Sequence, residues 1–280
     1  MRGSLDSAWL KIQRAKEHIQ QLKAIVEEFR LVHTREIVFK YDAQSGKHMA
    51  DVWVPDPPPL RLAVIVGDIA HNLRSALDHA AYQLELMVGR TPDRHTGFPI
   101  YWERAKFQDA VKRGIPQRFP KRAWALIQQL QPYRRGQRYR THPLFQLHEV
   151  NRRDKHQLLT VTCTLLPFPK LRGFHKYPNG KLVETVPGAA NPGPVHYGFA
   201  RLKPGTVRFT LDHPSKTSDV YVEAKVTFEI GLDESDFKYR GPLIQFVYHL
   251  RDGTSFVLFR LAKGYPTLRG RPSHLPPSTV

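Results

Sequence analysis

The stretch GDIAHNLRSALDHAAYQLE, residues 67–85, decides how the chain is read. At 100° per residue, Ile69, Leu73, Ala76, Leu77, Ala80 and Leu84 line up on one side, and Met87 continues the stripe. The other side carries Asp68, His71, Asn72, Ser75, Asp78, His79 and Tyr82. A solvated helix face ordinarily carries Lys and Glu, long chains that keep their charge in water. These groups are short or ring-bearing instead. At helical spacing they can bond a facing element, and burial demands that they do. The spacing predicts one helix over about residues 60–88. Its expected partner is HEVNRRDKHQLL, 148–159, where Asn151, Asp154, Lys155 and His156 sit beside Leu147, Val150, Leu158 and Leu159. Two helices meeting along a shared polar layer follow. Such a layer is either a satisfied network that sets helix pairing or a reaction centre.

Working outward, Trp9, Ile12, Ala15, Ile19, Leu22, Ile25, Val26, Phe29 and Val32 recur at threes, fours and sevens, which predicts a long first helix. Asp6 or Ser7 is its expected cap. Glu36 to Tyr41 and His48 to Val54 are β-branched and aromatic runs, expected as a hairpin over 36–54 that the prolines at 55–59 close. Shorter helices are expected at about 102–113, 120–131 and 143–158, separated by Gly114, Pro116, Pro120, Pro132 and Pro143. Residues 167–204, with seven prolines, read as a long irregular connection. Val220, Val222, Ala224, Val226, Phe228 and Ile230 alternate as one half-buried strand. Ile244, Phe246, Tyr248 and Leu250 alternate likewise, and Asp252-Gly253 reads as a tight turn into a strand at 255–261.

The fold class expected is therefore α+β. A helical bundle with an inserted hairpin spans residues 1–160, an antiparallel β region covers 161–263, and a proline-rich mobile tail occupies 264–280.

Composition narrows the function classes. The 280 residues hold 43 Lys and Arg against 25 Asp and Glu, a formal charge of +18, with 41 % hydrophobic residues. That apolar share is enough for a core, so wholesale disorder is excluded. One cysteine, Cys163, supplies neither a disulfide scaffold nor a zinc pair, and its apolar neighbours in LLTVTCTLL mark a buried thiol. No apolar run reaches membrane-spanning length, and the start of the chain is amphipathic where a signal peptide is apolar, so a cytoplasmic protein is expected. Phosphate-cradling loops, dinucleotide fingerprints and nucleophile elbows are missing, and no cofactor is expected. The charge is uneven. Residues 101–172 carry 16 basic against 4 acidic side chains, including Arg134, Arg135, Arg138, Arg140, Arg152 and Arg153. Such a field attracts phosphate-bearing partners, RNA among them. Tyr133, Tyr139 and Phe145 lie among these arginines, either to stack unpaired bases or as ordinary packing residues.

HNLRSALDH (71–79), FPI (98–100), LQPY (130–133) and EVNRRDKH (149–156) together resemble a family of uncharacterised bacterial proteins, over roughly residues 60–160. The resemblance implies no particular activity. Arg74-SALD-His79 also resembles the signature of the HEPN superfamily of helical ribonucleases and nucleotide-binding modules. There an arginine and a histidine four to six residues apart share a helix. The position after the arginine, commonly Asn, Asp or His in that superfamily, is Ser75 here. The HEPN resemblance implies a metal-independent ribonuclease acting as a homodimer. His79 would be the base on a ribose 2′-hydroxyl, Arg74 the neutraliser of phosphate charge, His71 or His156 the acid, and Asp78 the orienting group. Imidazole ordinarily titrates near neutral pH, which suits the first of these roles.

Helical geometry bears on this reading, because residues five apart project about 140° from one another and do not share a face. Two other readings stand beside it. The arginine-rich segment binds a polyanion while the polar helices only pack. Alternatively, Asp68, His71, His79, Asp154 and His156 serve a metal hydrolase, although His71 and His79 are separated by roughly 12 Å of helix axis.

Overall fold

The computed structural model describes residues 4–165, 171–179, 181–185, 205–211, 220–232, 239, 241–266 and 268. The fold is α+β. The first long helix, α1 (Asp6–His33), buries Ala8, Ile12, Ala15, Ile19, Leu22, Val26 and Phe29, most of the stripe read from its periodicity, with Trp9 and Ile25 partly buried and Val32 exposed near its end. Each large aliphatic side chain so buried contributes about 1.5–3 kcal/mol. Its cap differs from expectation. Asp6 is already helical, and the Ser4 hydroxyl accepts from the Asp6 N–H at 3.0 Å. The second long helix, α2 (Arg61–Met87), lies against α1 and forms the centre of the bundle, with α5 (Pro143–Asp154) and α6 (Leu243–Gly264) packed on it. Between them run α3 (Arg104–Lys112), α4 (Lys121–Gln129) and two 3-10 segments, Ile115–Arg118 and Pro132–Thr141. Among the described residues no helix is long and apolar enough to cross a membrane.

The hairpin forms as read, β1 (Arg35–Asp42) against β2 (Lys47–Val54), but it does not stay within the helical part. It lies inside a six-stranded antiparallel sheet of order β5-β4-β7-β1-β2-β6. There β1 pairs with β7 (Val220–Val226) and β2 with β6 (Gly205–Leu211). Two further strands, β4 (Leu171–Lys176), paired with β7, and the edge strand β5 (Leu182–Thr185), occupy part of the stretch read as irregular. Of that stretch, residues 167–170, 180 and 186–204 lie outside the described residues. The alternating run at 220–230 is two strands rather than one. It breaks at Thr227, after which β8 (Phe228–Leu232) leaves the large sheet and pairs with β3 (Val161–Leu165).

The largest correction concerns residues 243–264. Read as two strands and a turn, they form one helix, α6. The buried positions Leu243, Phe246, Val247, Leu250, Thr254, Val257, Leu258 and Leu261 recur at ones, threes and fours, a helical stripe within which the period-2 alternation is accidental. Asp252-Gly253 makes no turn, because Gly253 is the point of closest approach to α5. A Cβ there would overlap the Pro143 ring. Just past α6 the presumed mobile tail begins as packed chain. The Tyr265 hydroxyl accepts from the Ala123 N–H at 2.7 Å, and Leu268 is buried. Of the rest of that tail, 267 and 269–280 lie outside the described residues.

Alanine at a helix interior is ordinarily favoured over glycine by about 1 kcal/mol. At Gly253 the rigid proline ring reverses the sign, and Gly253→Ala is expected to lower stability by about 1–3 kcal/mol through overpacking. Urea unfolding of the two proteins reads this directly, and a gain in stability contradicts the close approach.

Candidate functional site

The polar layer between α2 and α5 exists, though it is arranged differently from the reading. Asp154 rests on the α2 backbone at Gly67, where a Cβ would overlap its carboxylate. Burial raises the Asp154 pKa, the nearby Asp68 charge raises it further, and His71 opposes both. Farther along, burial lowers the His148 pKa and the Arg74 guanidinium adds to the effect. Gly67 lies against Asp154, and Arg74 is near enough to His148 to act on its charge, so the helices run in opposite directions. Asn72 takes no partner on α5: its side-chain N–H donates to the Asp68 carbonyl of its own helix at 2.8 Å. His156 lies beyond the end of α5 in an exposed turn, since the helix stops at Asp154.

Arg74 and Asp78 act together on the backbone of Phe98. The guanidinium meets the Asp78 carboxylate through Nε at 3.2 Å and Nη2 at 2.9 Å, and Nη2 also donates to the Phe98 carbonyl at 2.8 Å. Asp78 Oδ1 accepts from the Phe98 N–H at 2.9 Å. Both main-chain groups of this buried phenylalanine are thus satisfied by one ion pair. Gln131 completes the arrangement. Its amide accepts from the Tyr101 N–H at 2.7 Å and donates to the Pro99 carbonyl at 3.0 Å. HNLRSALDH, FPI and LQPY therefore meet in space as a lock on an extended segment. The sequence marked Gln131 only as part of LQPY (130–133), with no role of its own. The available signal was its place beside Pro132 in a segment otherwise rich in arginine.

His79 belongs to a different surface. It lines an open cleft of about 380 Å³ with Ser7, Asp78, Tyr82, Gln83, Asp93 and Thr96. His79 Nδ1 is buried and without a hydrogen-bond partner among the described residues, as is Arg74 Nη1. Arg74 is engaged by Asp78 and the Phe98 carbonyl and is not among the residues that line this cleft. Beneath the cleft, the fully buried Glu85 takes a two-pronged contact from Arg118, with Nε to Oε1 at 2.7 Å and Nη2 to Oε2 at 3.1 Å. Arg118 also reaches Asp93 at 3.1 Å, and the Thr96 hydroxyl donates to Glu85 at 3.0 Å. The His95 backbone N–H and then Arg118 hold the Asp93 pKa below its ordinary value, while the Glu85 contact raises that of Arg118. Among the described residues no three His, Cys, Asp or Glu side chains form a group able to hold a metal ion, so Asp68, His71, His79, Asp154 and His156 do not converge. Cys163 is buried, and burial raises its thiol to about 12.

The arginine-rich segment is exposed where the reading placed it. Arg134, Arg135 and Arg138 stand in solvent on the Pro132–Thr141 turn and Arg140 is half-buried beside Tyr139. Among the described residues none of the four meets a carboxylate. The acids of 101–172 are occupied elsewhere: Glu103 by Lys106 at 2.9 Å, Asp109 by Lys112 at 4.0 Å, Glu149 by Arg152 at 2.7 Å, and Asp154 against α2. Arg153 is half-buried. The aromatics among the arginines are packing residues. Tyr133 leans on Phe107 with ring centroids 5.0 Å apart, and Tyr139 meets Phe145 edge-on at 4.9 Å.

A second recess, of about 300 Å³, opens where this turn, the start of α5 and the middle of α6 converge. His142 lines it, and its Nδ1 accepts from the Leu144 N–H at 3.2 Å, capping α5. Burial, then Arg135 and His249, lower the His142 pKa to about 4. Compared with protein-family models, curated proteins and solved structures, the chain shows no match in any of the three.

Because Arg74 and Asp78 pair with each other while holding the C=O and the N–H of one residue, removing either leaves the other without its charged partner. Arg74→Ala and Asp78→Ala are each expected to cost about 1–3 kcal/mol, and the double variant less than their sum. Denaturant melts of the three variants check this, and strict additivity contradicts the lock.

Proposed function

We propose that the protein acts in the cytoplasm by binding a polyanion, a nucleic acid in the first place, through the arginine-bearing turn at 132–141. One observation carries this reading. Arg134, Arg135 and Arg138 are exposed and unpaired among the described residues, while the neighbouring acids are occupied elsewhere. A guanidinium without a carboxylate partner presents its planar donors to phosphate oxygens, and each phosphate it neutralises releases counterions. Arg152, ion-paired with Glu149, contributes less to that surface.

Fluorescence anisotropy of a labelled RNA across a salt series tests the reading. Binding is expected to weaken steeply with salt. The Arg134→Ala, Arg135→Ala, Arg138→Ala triple variant is expected to reduce the log–log salt slope by about 2, as three lost single-strand phosphate contacts require. An unchanged slope, or no binding at low salt, overturns it.

A second reading, RNA cleavage with His79 as general base, is supported by one specific feature: His79 lines an open cleft on α2. Arg74 then acts through the position of Asp78 and the Phe98 segment, because its donors are engaged there. His79→Ala is expected to abolish cleavage of a labelled RNA while leaving its binding at the arginine turn unchanged. Cleavage that persists in a clean preparation of this variant removes the reading.

A further inference from the structure

The recess beside the arginine turn combines two kinds of surface. Arg134 and Arg135 stand on one rim, and the Arg135 Nη1 donor is steadied by the Thr141 carbonyl at 3.3 Å. Across from them, α6 presents Phe256, a large aromatic side chain that is 48 % exposed. Arg260 lies 5.5 Å from the centre of that ring and adds a further cation to the same face of α6. The floor is the close packing of Gly253 on Pro143. His142 closes the remaining side. Its Nδ1 accepts a backbone hydrogen bond, so the neutral ring carries its proton on Nε2 and remains a donor.

A recess for a bare anion has no use for an exposed phenyl ring, and an apolar socket has no use for two guanidinium groups that meet no carboxylate. Together they match a ligand with a negative group at one end and a flat, hydrogen-bonding ring at the other. A nucleotide unit of a single strand has both. A duplex keeps its bases stacked inside and offers only phosphates. Resting on the polyanion reading above, we propose that this recess seats one unpaired nucleotide of a single-stranded nucleic acid, its phosphate on Arg134 and Arg135 and its base against Phe256. The site makes the turn a selector of unpaired strands, in addition to a cationic surface.

The test compares three ligands on the full-length protein: a labelled oligouridylate, a hairpin duplex of equal charge, and heparin. Wild-type protein is expected to bind the oligouridylate more tightly than the duplex at equal salt. Phe256→Ala is expected to lower the ratio of oligouridylate to heparin affinity by about five- to a hundredfold, as loss of one base–aromatic stack does. Phe256→Trp is expected to restore that ratio, and its fluorescence to be quenched by oligouridylate but not by heparin. Since Phe256 is exposed, an unchanged thermal melt shows that both variants are folded. Equal affinities for all three ligands, with Phe256→Ala indistinguishable from wild type, overturn the nucleotide seat and leave polyanion binding standing. Failure of wild-type protein to bind any of the three overturns both.

Discussion

An extended segment that runs through a protein interior without a neighbouring strand has to find partners for its N–H and C=O groups. Residues 98–101 are such a segment, and the Arg74–Asp78 ion pair supplies both partners of Phe98 from one turn of α2. Charge-assisted bonds are stronger than neutral ones, and a guanidinium–carboxylate pair brings complementary donor and acceptor edges to a peptide unit. Gln131 repeats the device with an amide at Pro99 and Tyr101. Segment 98–101 is thereby tied to α2 and to the end of α4. The chain that follows, with α3, α4 and the arginine turn, is placed accordingly.

The same economy governs the charges. A chain with this excess of positive charge repels itself when compact, and local pairing limits the cost. Glu85 is buried completely and accepts from Arg118 through both oxygens, and Glu149 holds Arg152 one turn along its own helix. Among the described residues, Arg134, Arg135 and Arg138 on the 132–141 turn are exposed and meet no carboxylate. Those arginines extend into solvent from backbone anchored by aromatic packing at Tyr133 and Tyr139. A rigid base with free cations loses little side-chain and loop freedom on meeting an anion. In the polyanion reading proposed above, the helical bundle is the support for that surface.

Much of the helical part was legible because burial on one side repeats at 3.6 residues, and α1 and α2 show that repeat over seven turns. The hairpin was legible from its turn and its β-branched flanks. The 243–264 helix was not, because short apolar runs satisfy period 2 and period 3.6 alike and Asp-Gly imitates a turn. Its misreading concealed Phe256, which lies on the solvent side of α6 beside the arginines. In the polar layer, the residue types were read correctly and their partners were not. Asp78 and Arg74 share a face of α2, and the sequence shows that much. Their pairing with the backbone of residue 98, twenty and twenty-four positions away, follows from no local pattern.

By itself the sequence settled the α+β class, the two long amphipathic helices, the hairpin and the cationic segment, since each depends on near neighbours or on summed charge. Tertiary structure alone decided the rest. It placed the hairpin inside a sheet completed by distant strands, engaged Arg74 on the backbone of Phe98, and brought α6 beside the arginine turn. Each of these outcomes depends on which backbone groups and apolar faces meet across the chain. A buried polar group accepts whichever partner the packing brings within reach, and sequence spacing carries no record of that choice.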